Sequence, residues 1–194
     1  MFSISNKFIF FHPGRSGGTS IKSFLTSQVD DCIRCGHESL DEICDRIRGY
    51  DKDPNQFFKF TCVRNPWDRM VSVYLNTQKR YGFNDRHLIN QIDHFRLHLY
   101  KTLEINTLGP RQFFNLFPDY RKFDLVIRLE YLKEDMAKLC HTLNIDFDID
   151  DIPATNQSNF HAPYSLFYNK QSSELISKHF KQCIDMFKYE QFLY

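Results

Sequence analysis

The amino-acid sequence predicts an α/β fold in which a mainly parallel central sheet is flanked by helices on both faces. Three observations carry this. A short apolar run, a loop and a helical pattern recur in that order three times, the alternation that a parallel sheet with crossover helices requires. Two segments, residues 12–20 and 64–72, start at the end of a strand run and lead into a helix. Finally, 42% apolar and 16% aromatic residues in a chain of 194 supply a substantial core and exclude wholesale disorder. At roughly 150 residues per domain, that length fits a single domain, 1–194.

The elements follow in order. Residues 7–11 form a short apolar strand that ends at a Pro and Gly cluster, and from Thr19 a helix begins with Ile21, Phe24, Leu25 and Gln28. Residues 39–48 space Leu40, Ile43, Cys44 and Ile47 by three and four, and Ser39 with Glu42 completes a capping box. A strand over 57–63 is broken by Asn65-Pro66, and Pro66 at a first helical position opens a helix with Met70, Val71, Tyr74 and Leu75 on one side. Residues 86–103 carry a helical stripe that Gly109-Pro110 punctuates; 123–129 read as a strand and 131–143 as the helix after it. Residues 145–165 read as a long surface segment and 174–187 as a terminal amphipathic helix.

Charge excludes some partners. The 25 Lys and Arg against 24 Asp and Glu leave +1, so no global field draws the chain to nucleic acid or to anionic membrane, and any anion site must be local. No apolar run approaches the roughly 20 residues that span a bilayer, and no small-residue cleavage site follows the N-terminal run, so a cytoplasmic location is expected. The six cysteines are then expected to stay reduced.

Two loops carry chemistry. In His12-Pro-Gly-Arg-Ser-Gly-Gly-Thr-Ser20 the glycines permit close backbone approach and successive amides can point into one anion site, as phosphate or sulfate would need. The spacing departs from G-x-x-x-x-G-K-[ST], with no Lys before Thr19, so an ordinary ATP or GTP site is not expected. A plain strand-to-helix turn capped by Thr19 and Ser20 is the alternative. In Arg64-Asn-Pro-Trp-Asp-Arg-Met-Val-Ser72, a guanidinium at a strand's carboxyl end and a serine two turns into a helix suit a second phosphate. Otherwise Arg64 pairs with Asp68 and Ser72 is a solvated helix residue.

The stretches PGRSGGTSI, FKFTCVRNPWDRMVSVYL and FDLVIRLEYLKEDMAKLCHTLNI, with the tail from Asn156 to Phe192, together resemble the family 2, carbohydrate-modifying branch of the sulfotransferases that use 3'-phosphoadenosine-5'-phosphosulfate (PAPS). The resemblance covers nearly the whole chain. It implies a P-loop-like three-layer fold, PAPS as donor, PAP (adenosine 3',5'-bisphosphate) as product, no metal, and a carbohydrate or glycolipid hydroxyl as acceptor. It also implies that Arg15, Ser16, Gly17, Gly18, Thr19 and Ser20 cradle the 5'-phosphosulfate, while Arg64 and Ser72 hold the 3'-phosphate. The family loop more often reads P-K-T-G-G-T-S; this chain is one residue longer there and has Arg15 where Lys is usual. Arginine keeps its proton, so its help to the leaving phosphate is electrostatic and hydrogen-bonding.

The acceptor hydroxyl must lose a proton as it attacks sulfur. GHESLDEI resembles a Gly-His-helix element of family 2, which makes His37 the candidate base, with Glu38 and His12 in reserve; His37 as an ordinary loop histidine is the competing reading. Cys32-x-x-Cys35-x-His37 with Cys44 has the spacing of zinc ligands, but no second pair accompanies it and Cys44 falls on an apolar stripe. Two rival functions stand beside sulfotransfer. A P-loop phosphotransferase would want an acidic residue at a strand end, where this chain has Arg64 and Arg128. A nucleotide-binding module without catalysis is the other. Neither the acceptor's identity nor the oligomeric state is encoded in a readable pattern.

Overall fold

The computed structural model describes residues 1–36, 38–80, 82, 87–104, 118–146, 148–153 and 162–191. They fall into two compact units, one drawn from Met1–Val63 and Arg111–Asn156, the other from Arg64–Pro110 and Gln157–Tyr194.

The first unit contains a four-stranded sheet of β1 (Phe2–Ser3), β2 (Phe8–Phe11), β3 (Phe58–Val63) and β4 (Leu125–Arg128), in that spatial order. β2, β3 and β4 run parallel, with Phe10 opposite Phe60 and Phe60 opposite Leu125. β1 pairs antiparallel to β2, Phe2 lying opposite Ile9. Two residues are too few to show a period, so β1 has no sequence signature. Tertiary bonds hold it: Phe2 and Ile33 exchange backbone hydrogen bonds of 3.0 and 2.8 Å, and Asp31 accepts from the Ile4 and Ser5 amides at 2.9 and 2.7 Å.

Strand alternation sorts the phenylalanines to opposite faces. Phe8 and Phe10 join Phe60, Cys62 and Ile127 against α1 (Gly18–Gln28) and α5 (Leu132–Leu143), which contribute Ile21, Phe24, Leu25, Met136 and Leu139. Ile9 and Phe11 join Phe2 and Phe57 against Ile43 and Ile47 of α2 (Leu40–Arg48). The sheet is thus sandwiched between helical layers, the three-layer α/β arrangement that the alternating pattern predicts. The two cysteines of the C-x-x-C part company here: Cys32 packs on the α1 side and Cys35 lies in the α2-side cluster, with Cys44 packed beside it.

The second unit contains α3 (Pro66–Arg80), α4 (Leu88–Leu103), α6 (Lys170–His179) and α7 (Lys181–Phe187). Its core is aromatic. The buried Trp67 indole donates to Ser173 Oγ at 2.9 Å, Tyr168 donates its hydroxyl to the Trp67 carbonyl at 2.8 Å, and Phe95 meets Phe167 and Tyr168 edge-on at 5.4 and 5.1 Å. The single helix expected over 174–187 is replaced by two. Asn169 caps an earlier start by accepting from the Ser172 amide at 2.9 Å, and the backbone of Phe180 leaves helical geometry (φ −104°, ψ 17°). The Ile184 amide then bonds to the Phe180 carbonyl at 2.9 Å, which opens α7 and buries both Phe180 and Cys183.

The strand expected over 123–129 narrows to Leu125–Arg128, because the Phe123 amide caps the turn before it and Leu129 opens the turn after it. The expected 145–165 segment contains single 3-10 turns at Ile149–Asp151 and Tyr164–Phe167; residues 147 and 154–161, like Gly109-Pro110, lie outside the described residues. No helix among the described residues is long and apolar enough to cross a membrane.

Candidate functional site

In the first unit the loop of residues 12–17 leaves the carboxyl end of β2 and enters α1. Two of its residues are left-handed, Arg15 at φ 64° and Gly17 at φ 81°. Gly17 is required twice, by that φ and because a Cβ there would stand 2.6 Å from Leu129 Cδ1. Gly18 is required by contact alone, since its Cβ would lie within 2.7 Å of three atoms of the His12 side chain. Arg15 holds a left-handed backbone without glycine's freedom, at a cost of roughly 1–2 kcal/mol.

Between Arg15 and Gly17 sits Ser16, fully buried, with an Oγ that meets no hydrogen-bond partner among the described residues. An unsatisfied buried hydroxyl costs about 1–3 kcal/mol, and that cost vanishes when a ligand oxygen accepts from it. Next to it, Gly17 is the N-cap of α1 and has no side chain to cap the helix; the Ser20 amide donates to the Gly17 carbonyl at 3.1 Å. Thr61 of β3 is a second such group: buried, its Oγ1 unpartnered among the described residues, and in register with Phe11 at the carboxyl end of β2. A threonine in a strand is unremarkable in sequence, so nothing there marked it.

Beside the loop, a cavity of about 100 Å³ is lined by His12, Gly14, Cys35, Gly36 and Glu38 among others. His12 therefore shares one cavity with Glu38, while His37 itself lies outside the described residues. Glu38 is engaged: its two oxygens accept from Arg46 Nη1 at 2.8 and 3.1 Å. Service as a base would break that ion pair. Glu38 is followed by α2, where the expected capping box forms, Glu42 N–H to Ser39 Oγ at 3.2 Å and Ser39 N–H to Glu42 at 2.6 Å.

Arg64, directly after β3, belongs to the second unit. Asp68 accepts from its Nε and Nη2, both at 2.7 Å, in a half-buried bidentate pair. The pairing that the bare sequence offered as an alternative is therefore present, and it orients the guanidinium. Asn65 Oδ1 accepts from the Trp67 amide at 3.0 Å and starts α3. Ser72 is 5% exposed, so it is a buried helix residue and the solvated reading does not hold.

The end of β4 carries a contrasting arginine. Arg128 donates to Asp135 from Nε and Nη2 at 2.8 and 2.9 Å and from its amide at 3.0 Å, and stacks on Tyr131 with its carbon 4.4 Å from the ring centre. Burial alone would raise the Asp135 carboxyl; the donors of Arg128 and Lys138 outweigh it and hold the group at about 2. This strand end ties β4 to α5, with the Asp135 carboxylate held by Arg128 and Lys138.

Residues 6–193 match the sequence profile of the sulfotransferase family. No curated protein and no solved structure gives a significant match.

Proposed function

Because the chain belongs to the sulfotransferase family, we propose that it transfers a sulfuryl group from PAPS to the hydroxyl of a carbohydrate, with residues 1–194 acting as one sulfotransferase domain. The observation that carries this reading is the loop around Ser16: a buried hydroxyl with no partner among the described residues, set between two left-handed residues at an uncapped helix start. A tight turn needs none of this; a phosphosulfate uses all of it.

In this reading Arg15, Ser16, Gly17, Gly18, Thr19 and Ser20 hold the 5'-phosphosulfate, and Arg64 and Ser72 take the 3'-phosphate. Asp68 keeps the Arg64 guanidinium in one orientation, which lowers the entropy lost when a phosphate docks on it. His37 accepts the proton of the acceptor hydroxyl as the new O–S bond forms. The bond from sulfur to the bridging phosphate oxygen breaks on the opposite side, and PAP leaves with its new charge met by Arg15 and the loop amides. With Glu38 tied to Arg46, His12 is the first substitute for His37.

The test is transfer of labelled sulfate from PAPS to a glycan panel, in wild type and His37→Ala. The expected outcome is turnover that survives EDTA, and a fall of about 10²–10⁴ in turnover for the variant with PAP affinity unchanged. Full turnover in His37→Ala would remove the base assignment; turnover that depends on added magnesium would remove the proposal as a whole.

A further inference from the structure

Strand alternation extends past the end of β2. Phe8 and Phe10 pack towards α1, and the next position of that row is His12, the first residue of the loop. Its ring lies 5.6 Å from the Phe10 ring and rests on the first residue of α1: a Cβ on Gly18 would stand 2.5, 2.6 and 2.7 Å from the Cβ, Cγ and Nδ1 of His12. Gly18 is thus the residue that lets an imidazole, Nδ1 edge included, reach the positive end of a helix. His12 also lines two spaces at once, the cavity of about 100 Å³ beside the loop and a groove of about 470 Å³ that runs along α1 past Thr19 and Lys22 to Arg34.

The ionisable groups around His12, among the described residues, come from every side. The cavity brings Glu38, whose carboxylate is paired with Arg46 at 2.8 Å, and the Cys35 thiol, which burial pushes up and keeps neutral. It also brings the Met1 amino group, which donates to the Phe10 carbonyl at 3.0 Å. The groove brings Lys22 and Arg34, and the loop itself carries Arg15. The balance is positive, and α1 adds the partial charge of its N-terminus, so a further cation at His12 is disfavoured in the protein without donor. A phosphosulfate against the start of α1 reverses this, because its negative charge attracts the proton that the surroundings otherwise repel.

We propose that His12 takes up a proton when the donor binds and that its imidazolium then holds the phosphosulfate, so that donor affinity rises as pH falls. The inference rests on the sulfotransfer reading, which puts the phosphosulfate in this loop, and adds a proton-linked ligand to it. Solvent supplies the proton, the imidazole goes from neutral to a single positive charge, and release of the product returns it. An imidazolium has no lone pair to accept the proton of the acceptor hydroxyl, so the base of the reaction stays at His37.

The probe is adenosine 5'-phosphosulfate, which lacks the phosphate monoesters of PAP that themselves titrate near pH 6. Calorimetric titration of the wild type in two buffers of different ionisation heat should show net proton uptake on binding at about pH 7. Affinity should weaken about tenfold from about pH 6 to about pH 8. His12→Asn keeps an N–H donor near the Nδ1 position and cannot charge. Its uptake should vanish, and its affinity should be flat across that range at about the wild type's high-pH level. The unfolding temperature reports its fold, with His12→Gln as the second variant should the first unfold. Zero uptake in the wild type overturns the inference and leaves the sulfotransfer reading standing. So does uptake that survives the substitution, which would belong to another group such as the Met1 amine or His37. A wild type that does not bind the probe at any pH overturns the placement of the donor in this loop, and the inference with it.

Discussion

The starts of α1 and α2 lie in the same unit, eleven residues of helix and nine, and solve the same problem in opposite ways. α2 closes its first turn from within: Ser39 and Glu42 exchange two hydrogen bonds, and Asp41 and Glu42 add negative charge to the positive end of the helix dipole. α1 has glycine at the cap, no acid in its first turn, and a buried serine hydroxyl beside it with nothing to bond among the described residues. Stability alone would favour the first solution at both places. The start of α1, with no side-chain cap and a left-handed Arg15 before it, is where the proposed function puts the donor's anion.

Four substitutions or conditions break or sharpen this contrast. The largest effect is expected from Gly17→Ala. A left-handed alanine and its clash with Leu129 should lower stability by about 2–4 kcal/mol in urea unfolding and weaken PAP binding at least a hundredfold. If both stay at wild-type values, the loop is not held in this shape.

Arg128 and Asp135 give a closed charge pair to set against the open loop. Asp135 sits at about 2 in the folded protein against its ordinary 3.8, so its contribution is complete above 3.8 and is lost as pH falls from there through about 2. Unfolding free energy should drop by about 2 kcal/mol across that window from this group, and Asp135→Asn should flatten the slope. Unchanged acid sensitivity in the variant would mean that other carboxylates set it.

Ser16→Ala should separate stability from binding. Removing an unsatisfied hydroxyl leaves the melting temperature equal or higher, while PAP binding weakens about tenfold, the value of one hydrogen bond to a charged oxygen. A drop in stability with binding intact would make Ser16 a structural residue. At the other helix, Ser39→Ala should cost about 1 kcal/mol and leave PAP affinity unchanged; a shared loss of affinity would erase the distinction between the two starts.

Much of this was legible in the chain. The short apolar run over 8–11, the capping box at Ser39, and Pro66 at the head of α3 are local signals, set by a strand buried on both faces, cap geometry and a fixed proline φ, and they appear where the pattern places them. The glycine loop was legible for the same reason: only glycine tolerates Gly17's backbone and Gly18's contact with His12. The break at Phe180 was not, since both halves of that segment keep a helical period and only the burial of Phe180 and Cys183 separates them.

Residue types and short-range spacing by themselves determined the α/β class, the parallel order of helices and strands, the loop that can hold an anion, and the family resemblance. Tertiary structure alone decided which polar groups remain unsatisfied. Whether Ser16 and Thr61 find partners, whether Glu38 is engaged by Arg46, whether Arg64 lies against Asp68, and whether Lys22 and Arg34 line one groove depend on groups up to twelve residues apart and on the burial around them. A hydrogen bond or a cavity is a property of distances in space, and periodicity along the chain carries no information about them.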